Sequence, residues 1–243
     1  MSQLEQTVSR YRSLRLSAAA DELTNLLAEA EANEMSYLSF ADRLAEHELI
    51  QRQDKRIRRN RKMAAFPAEK RLEGFDYRHQ TTITKRQVNA LLDFQFIDER
   101  NNLVFIGPPG VGKTHLAIGI GYKAVEAGYR VMFRNALDLV EELELAEMKG
   151  ELKKRVSALA KYDLLIIDEL GYLPMTRQAR YNLINSLYEY RSIILTTNKD
   201  FSSWGEFFHD DNVAVPIIDR VIHHSHIFML GGESYRLKQK VTS

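Results

Sequence analysis

Cysteine is absent from the 243 residues, which excludes disulfides and any thiolate metal site and fits a reducing, cytoplasmic setting. No apolar run approaches the roughly 20 residues that a membrane helix needs, so no membrane partner is expected. The opening MSQLEQTVSRYR lacks the apolar stretch of a secretory leader, and none is expected. An excess of either charge is missing too: 34 Lys and Arg against 33 Asp and Glu leave a formal net charge of +1. Composition therefore does not by itself announce a nucleic-acid binder, and the distribution of charge has to be read instead. No internal repeat or low-complexity tract is present. With 44% hydrophobic and 28% charged residues, a real core is expected, in one large domain or in a medium domain with an appendage.

The chain is organised around Asn101 to Thr114, NNLVFIGPPGVGKT. An apolar run, Leu103 to Ile106, leads into Gly107, Pro108, Pro109, Gly110, Val111, Gly112, Lys113 and Thr114. This is G-x-x-x-x-G-K-[ST], the phosphate-binding loop, between a strand pattern and a helix pattern as the motif requires. Its glycines let backbone N–H groups form an anion-binding nest at a helix N-terminus. Lys113 is placed to reach terminal phosphates and Thr114 to take Mg²⁺. These eight residues and the adjoining His115 form the expected nucleotide-binding set.

Residues 1–66 read as a basic, all-helical N-terminal domain. Leu4, Val8 and Tyr11 recur at helical spacing, and Leu23, Leu26, Leu27 and Ala30 form a second stripe. Ser39 and Asp42 suggest a capping box for a third helix with Phe40 and Leu44 on one face. That helix runs into Arg52, Lys55, Arg56, Arg58, Arg59, Arg61 and Lys62, seven cations in eleven residues. They read either as a solvated helix end or, because they occupy several faces, as a surface for a phosphate backbone. Phe66-Pro67 breaks the helix, and residues 67–100 form a connector. Its Phe75, Tyr77, Phe94 and Phe96 either pack beneath the phosphate-loop strand or floor a pocket for a base.

Residues 101–243 alternate strand and helix, which predicts a parallel sheet with crossover helices, an α/β fold. Strands are expected at 129–134, at 164–167, at 192–197 and near Gly231-Gly232. Helices are expected over 115–127, 137–160 (opened by Asn135), 176–190 and 212–224. The run Leu164-Leu165-Ile166-Ile167 ends in Asp168 and Glu169 at the strand's C-terminal edge, where open parallel sheets bind ligands. Asp168 is placed to hold Mg²⁺ opposite Thr114, and Glu169 to polarise an attacking water. Asn198, after Thr196-Thr197, fits either a polar contact to that water or a plain turn. Arg220 and Arg236 read from spacing alone as surface cations. His223, His224 and His226 lack a clear metal-ligand spacing.

GPPGVGKT, LLIIDELGYLP, SIILTTN, an Asp-Arg helix and a closing ESYR, in that order, resemble the IstB-like transposition helpers. These are AAA+ ATPases close to the DnaC helicase loaders and DnaA initiators. The resemblance implies an AAA+ P-loop domain with ATP and Mg²⁺ as its cofactors. Gly107 to Thr114 then matches Walker A, and Asp168 with Glu169 matches Walker B. Asn198 matches sensor 1, Arg236 sensor 2, and Arg220 a finger reaching a neighbouring subunit's nucleotide in a homo-oligomer. Catalysis would rest on Lys113, Asp168, Glu169, Asn198, Arg220 and Arg236. An insertion before the Walker B strand would touch DNA through Lys149, Lys153, Lys154 and Arg155, unless that segment is a solvated helix of alternating charge. The implied function is an ATP-dependent, sequence-nonspecific double-stranded DNA binder that assists a transposase. Rival readings are a DnaC-type helicase loader, an ATP-locked architectural module with little turnover, and a small-molecule phosphotransferase. The segment 175–191 is a few residues shorter than the family pattern.

Overall fold

The computed structural model describes residues 2–170, 192–200, 224–235 and 237–238. Two compact units are present, Met1–Arg59 and Asn60–Ser243.

The first unit is helical: α1 (Gln3–Ser13), α2 (Ser17–Ala32) and the larger part of α3 (Tyr37–Ala64). A capping box starts α1, with Ser2 Oγ accepting from Glu5 N–H and Glu5 Oε2 accepting from Ser2 N–H. The start of α2 carries no side-chain cap of its own. Instead Glu48 reaches over from α3 and accepts from Ala19 N–H at 2.8 Å. The third helix begins earlier than the expected Ser39 box, because Ser36 Oγ accepts from Ser39 N–H and serves as the cap. Leu23 and Leu26 are buried as their spacing predicts, whereas Leu27 is exposed.

In the second unit the connector carries α4 (Lys85–Ala90), opened by a Thr84–Gln87 capping box, and α5 (Gln95–Asp98). Then follow β1 (Asn102–Ile106), α6 (Lys113–Glu126), β2 (Val131–Asn135), α7 (Ala136–Met148), α8 (Leu152–Leu159), β3 (Leu164–Leu170), β4 (Ile193–Thr197) and β5 (Ser225–Met229). Among the described residues the four strand pairings are parallel, and the order is β2-β3-β4-β1-β5. The strand carrying the two carboxylates is thus separated from the phosphate-loop strand by β4. The helix expected over 137–160 is two helices, broken at Gly150, whose φ of 68° suits glycine. The strand expected near Gly231-Gly232 lies upstream of them, as β5.

Strand alternation sends one set of side chains to each face of the sheet. Val104, Ile106, Leu165, Ile167 and Leu195 pack with Leu139 and Leu143 of α7 and Leu159 of α8. Ile166, of opposite parity, faces α6, where a Cβ on Gly121 would come within 2.6 Å of its Cδ1. Helices therefore cover both faces, and the sheet's C-terminal edge is left for polar groups. The helices expected over 176–190 and 212–224, the segment 175–191, and Arg220 and Arg236 lie outside the described residues.

Candidate nucleotide-binding site

The phosphate loop leaves β1 at Ile106 and enters α6 at Lys113. Gly110 and Gly112 hold φ of 83° and 99°, conformations that only glycine adopts without strain. Space excludes side chains there as well. A Cβ on Gly112 would lie 2.6 Å from the Phe75 ring, and one on Gly110 would lie 2.1 Å from Ser234 Oγ. Lys113 turns back and donates to the carbonyls of Gly107 and Pro108, at 2.6 and 2.7 Å. A cationic donor thus lies against the loop at the N-terminus of α6, an arrangement suited to an anion.

Across the edge of the sheet, Thr114 Oγ1 lies 2.9 and 3.1 Å from the two carboxylate oxygens of Asp168. Asp168 is 5% exposed. Burial pushes its carboxyl above the ordinary range, hydroxyl bonds from Thr196 and Thr114 pull against that, and neighbouring Glu169 adds to the rise. A buried carboxylate and a hydroxyl touching each other are hard oxygen donors suited to Mg²⁺, which pairs such ligands with phosphate oxygens. Thr114 and Asp168 therefore fit the metal role expected of them.

Glu169 is exposed toward the cleft, and its Oε2 accepts from Asn135 Nδ2 at 3.2 Å. Asn198 directly follows β4, and its side-chain oxygen is buried with no partner among the described residues. Leaving such an acceptor unsatisfied costs about 1–3 kcal/mol, which favours occupation by a donor such as water.

A cleft of about 540 Å³ is lined by Pro109 to His115, Glu169, Thr196, Thr197 and Tyr235. Such a volume suits a small-molecule ligand. The connector forms the opposite wall with Lys70, Gly74, Phe75, Asp76, His79 and Gln80. Phe75 meets Tyr77 and His115 edge-on, at centroid distances of 4.7 and 5.4 Å. It takes the pocket-lining alternative, while Phe94 and Phe96 are buried. His115 lines the cleft, and its Nε2 donates to the Arg71 carbonyl at 2.7 Å. The bond partner, a carbonyl, fixes the ring tautomer.

The connector and the chain after β5 are stitched to the loop. Gln80, 4% exposed, donates to the carbonyls of Val111 and Gly231, each at 3.0 Å. Tyr235 N–H donates to Gly110 O at 3.0 Å. Nothing in residue spacing marks Gln80, because the connector has no periodicity to set it apart. Asn135 opens a helix as its sequence position predicts, since its Oδ1 accepts from Leu137 N–H. Its second role depends on register, which pairs Asn135 with Asp168 across β2 and β3.

The basic run is less uniform than it reads. Arg52 donates to Glu48 and to the Arg15 carbonyl, and Arg61 pairs with Glu69 and stacks over Tyr122. Lys55, Arg56, Arg58, Arg59 and Lys62 are exposed. Beyond Gly150, Lys153 is exposed, Lys154 pairs with Glu151, and Arg155 pairs with Glu142. Among the described residues no group of three or more His, Asp or Glu could hold a metal ion, and no helix is long and apolar enough to cross a membrane.

The chain is 40% identical over 230 residues to a protein named for ATP binding in insertion sequence IS5376 of Geobacillus stearothermophilus, covering 93% of this chain and 92% of that one. It is 40% identical over 243 residues to the corresponding protein of insertion sequence IS21 of Pseudomonas aeruginosa, covering 99% and 91%. Among solved structures it resembles the DnaC helicase loader (22% identity, TM-score 0.50, 60% of this chain and 86% of that chain). It also resembles AMPPCP-bound DnaA from Aquifex aeolicus (20% identity, TM-score 0.55, 73% and 56%). These two likenesses show the fold, that of the AAA+ P-loop domains. The description IstB-like ATP binding protein matches over residues 9–243, and the chain belongs to that family.

Proposed function

We propose that the protein binds ATP with Mg²⁺, hydrolyses it to ADP and phosphate, and uses the cycle to assemble on DNA and assist a transposase. The carrying observation is the juxtaposition of Lys113, Thr114, Asp168 and Glu169 at one sheet edge, with Thr114 and Asp168 already in contact. The loop amides and Lys113 bind the phosphates. Mg²⁺, held by Thr114 and Asp168, would supply charge neutralisation at the phosphate oxygens. Glu169 takes the proton of the attacking water, and the unpartnered Asn198 oxygen accepts that water's second hydrogen. In the assembly, Arg236 acts on its own subunit's nucleotide and Arg220 on the neighbour's, as the family resemblance implies. A finger supplied in trans adds roughly 10³- to 10⁵-fold, so a lone subunit would turn over slowly.

The insertion-sequence naming of the relatives supports a transposase as client, and the exposed cations of α3 support contact with a phosphate backbone. The test is phosphate release with and without duplex DNA, for the native chain and for Glu169→Gln. The substitution is expected to leave ATP binding intact, to slow release at least about 100-fold, and to trap the ATP-bound assembly on DNA. Equal release by the two proteins would refute hydrolysis at this site. Phosphate transferred to a metabolite would point to a phosphotransferase, and capture of a replicative helicase in place of a transposase would point to a loader.

A further inference from the structure

Asp168 and Glu169 are consecutive, and a regular strand would send their side chains to opposite faces. Both are nevertheless needed at one phosphate end. The backbone resolves this with a register irregularity between Ile167 and Leu170 and a φ of +63° at Glu169. For a residue with a Cβ this left-handed conformation is strained, so neighbouring groups must hold it. One side chain does so. Thr196 on β4 is fully buried, and its hydroxyl oxygen accepts from Glu169 N–H at 2.9 Å. The same hydroxyl donates its single proton to Asp168 Oδ1 at 2.5 Å. Its donor and acceptor roles are thus both committed, one to each residue of the acidic pair.

We infer that Thr196 is a positioning residue: one buried hydroxyl fixes both the Asp168 carboxylate that faces Thr114 and the backbone turn that aims Glu169 into the cleft. Removing it frees Asp168 to rotate away from Thr114 and removes the partner of the Glu169 amide. Thr196 hydrogen-bonds to both residues of the acidic pair, so its loss should be felt first in metal binding and turnover, ahead of nucleotide binding without metal. This inference rests on the ATP-hydrolysis reading above.

Thr196→Val keeps the shape and deletes the hydroxyl, whereas Thr196→Ser keeps the hydroxyl and deletes a methyl. Three quantities are measured on the full chain: affinity for a fluorescent ATP analogue in EDTA, the Mg²⁺ concentration that half-maximally tightens that binding, and kcat with KM. For Thr196→Val, EDTA affinity is expected within about twofold of native, with the Mg²⁺ half-saturation raised and kcat lowered by about 10- to 100-fold each. Thr196→Ser should stay within about threefold of native throughout. If the Val protein does not fold, Ser against Ala at the same position isolates the hydroxyl, and the same gap is expected. Native Mg²⁺ dependence and kcat in Thr196→Val overturn the inference, as do equal losses in Ser and Ala. A native chain that binds but does not hydrolyse the nucleotide defeats the functional reading instead, and the Mg²⁺ half-saturation still reports on Thr196.

Discussion

Asn135 holds two elements with one amide: its oxygen caps α7 by accepting from Leu137 N–H at 2.9 Å, and its NH₂ donates to Glu169 Oε2 at 3.2 Å. Substitution separates the roles. Asn135→Asp keeps a good cap and places a carboxylate against Glu169. Asn135→Ala removes both hydrogen bonds. ATP turnover is expected to fall about tenfold or more in each, since an orienting partner of the carboxylate proposed to take the water's proton is gone. Thermal unfolding should separate them, with Ala costing about 1 kcal/mol and Asp close to native. Native turnover in both would show that Asn135 serves the helix alone.

The two halves of this site differ in how far they can be read from sequence. The phosphate loop and the LLIIDE strand are local: spacing alone carries glycine geometry, burial and the sheet edge. Asn135, Thr196 and Gln80 act through register and through packing of segments far apart in the chain, so no window of sequence contains both partners. The connector shows the same limit. Phe75 stands out as an aromatic, but its position across Gly112 follows from the fold of residues 72–82 and not from any period. Charge runs mislead in the opposite direction, because Arg52 and Arg61 read as free cations and are engaged by Glu48 and Glu69.

Gln80 satisfies its whole side chain between three segments. Besides donating to Val111 and Gly231, its Oε1 accepts from the Thr82 amide and hydroxyl at 3.0 and 2.6 Å. Gln80→Leu would strand two carbonyls near the phosphate loop, at a cost on the order of 2–4 kcal/mol. Chemical denaturation should register that loss. ATP affinity, measured by equilibrium titration, is expected to weaken about tenfold, because the loop loses its tie to the connector. Destabilisation with unchanged affinity would confine Gln80 to a structural role.

Glu48 makes the first unit sensitive to acid. Burial alone would raise its carboxyl, but bonds from the Ala19 amide and from Arg52 outweigh that and hold it below the usual range. A lowered folded-state value means that its stabilisation is complete above the unfolded value, near 4.5. It is lost as pH falls through the folded value. Glu48→Gln is expected to cost about 1–2 kcal/mol at pH 7 in urea unfolding followed by helical circular dichroism. The gap to native should then shrink below about pH 4.5. A gap that persists to pH 3 would mean that the charge of Glu48 is not what stabilises α2.

The cations of α3 should divide into two functional groups when DNA binding is measured against salt. If six to ten phosphates are bound per assembly, affinity for duplex DNA should fall roughly 10³- to 10⁵-fold between 50 and 200 mM salt. Lys55, Arg56, Arg58, Arg59 and Lys62 are exposed and make no ion pair with any described residue. Replacing Arg56 or Arg58 by Gln should leave unfolding unchanged and lower the salt slope by about 0.9 for each phosphate that the arginine neutralises. Arg52→Gln should behave in the opposite way. Its guanidinium already donates to Glu48 at 2.7 Å and to the Arg15 carbonyl at 2.5 Å, so its removal should cost stability and leave the slope near native. Phosphate contacts carry no base information, so duplexes of different sequence should give the same slopes. A salt profile that is flat for the native chain would remove DNA from the proposed function, and a slope that responds to Arg52 but not to Arg56 or Arg58 would move the DNA-binding surface off the exposed cations of α3.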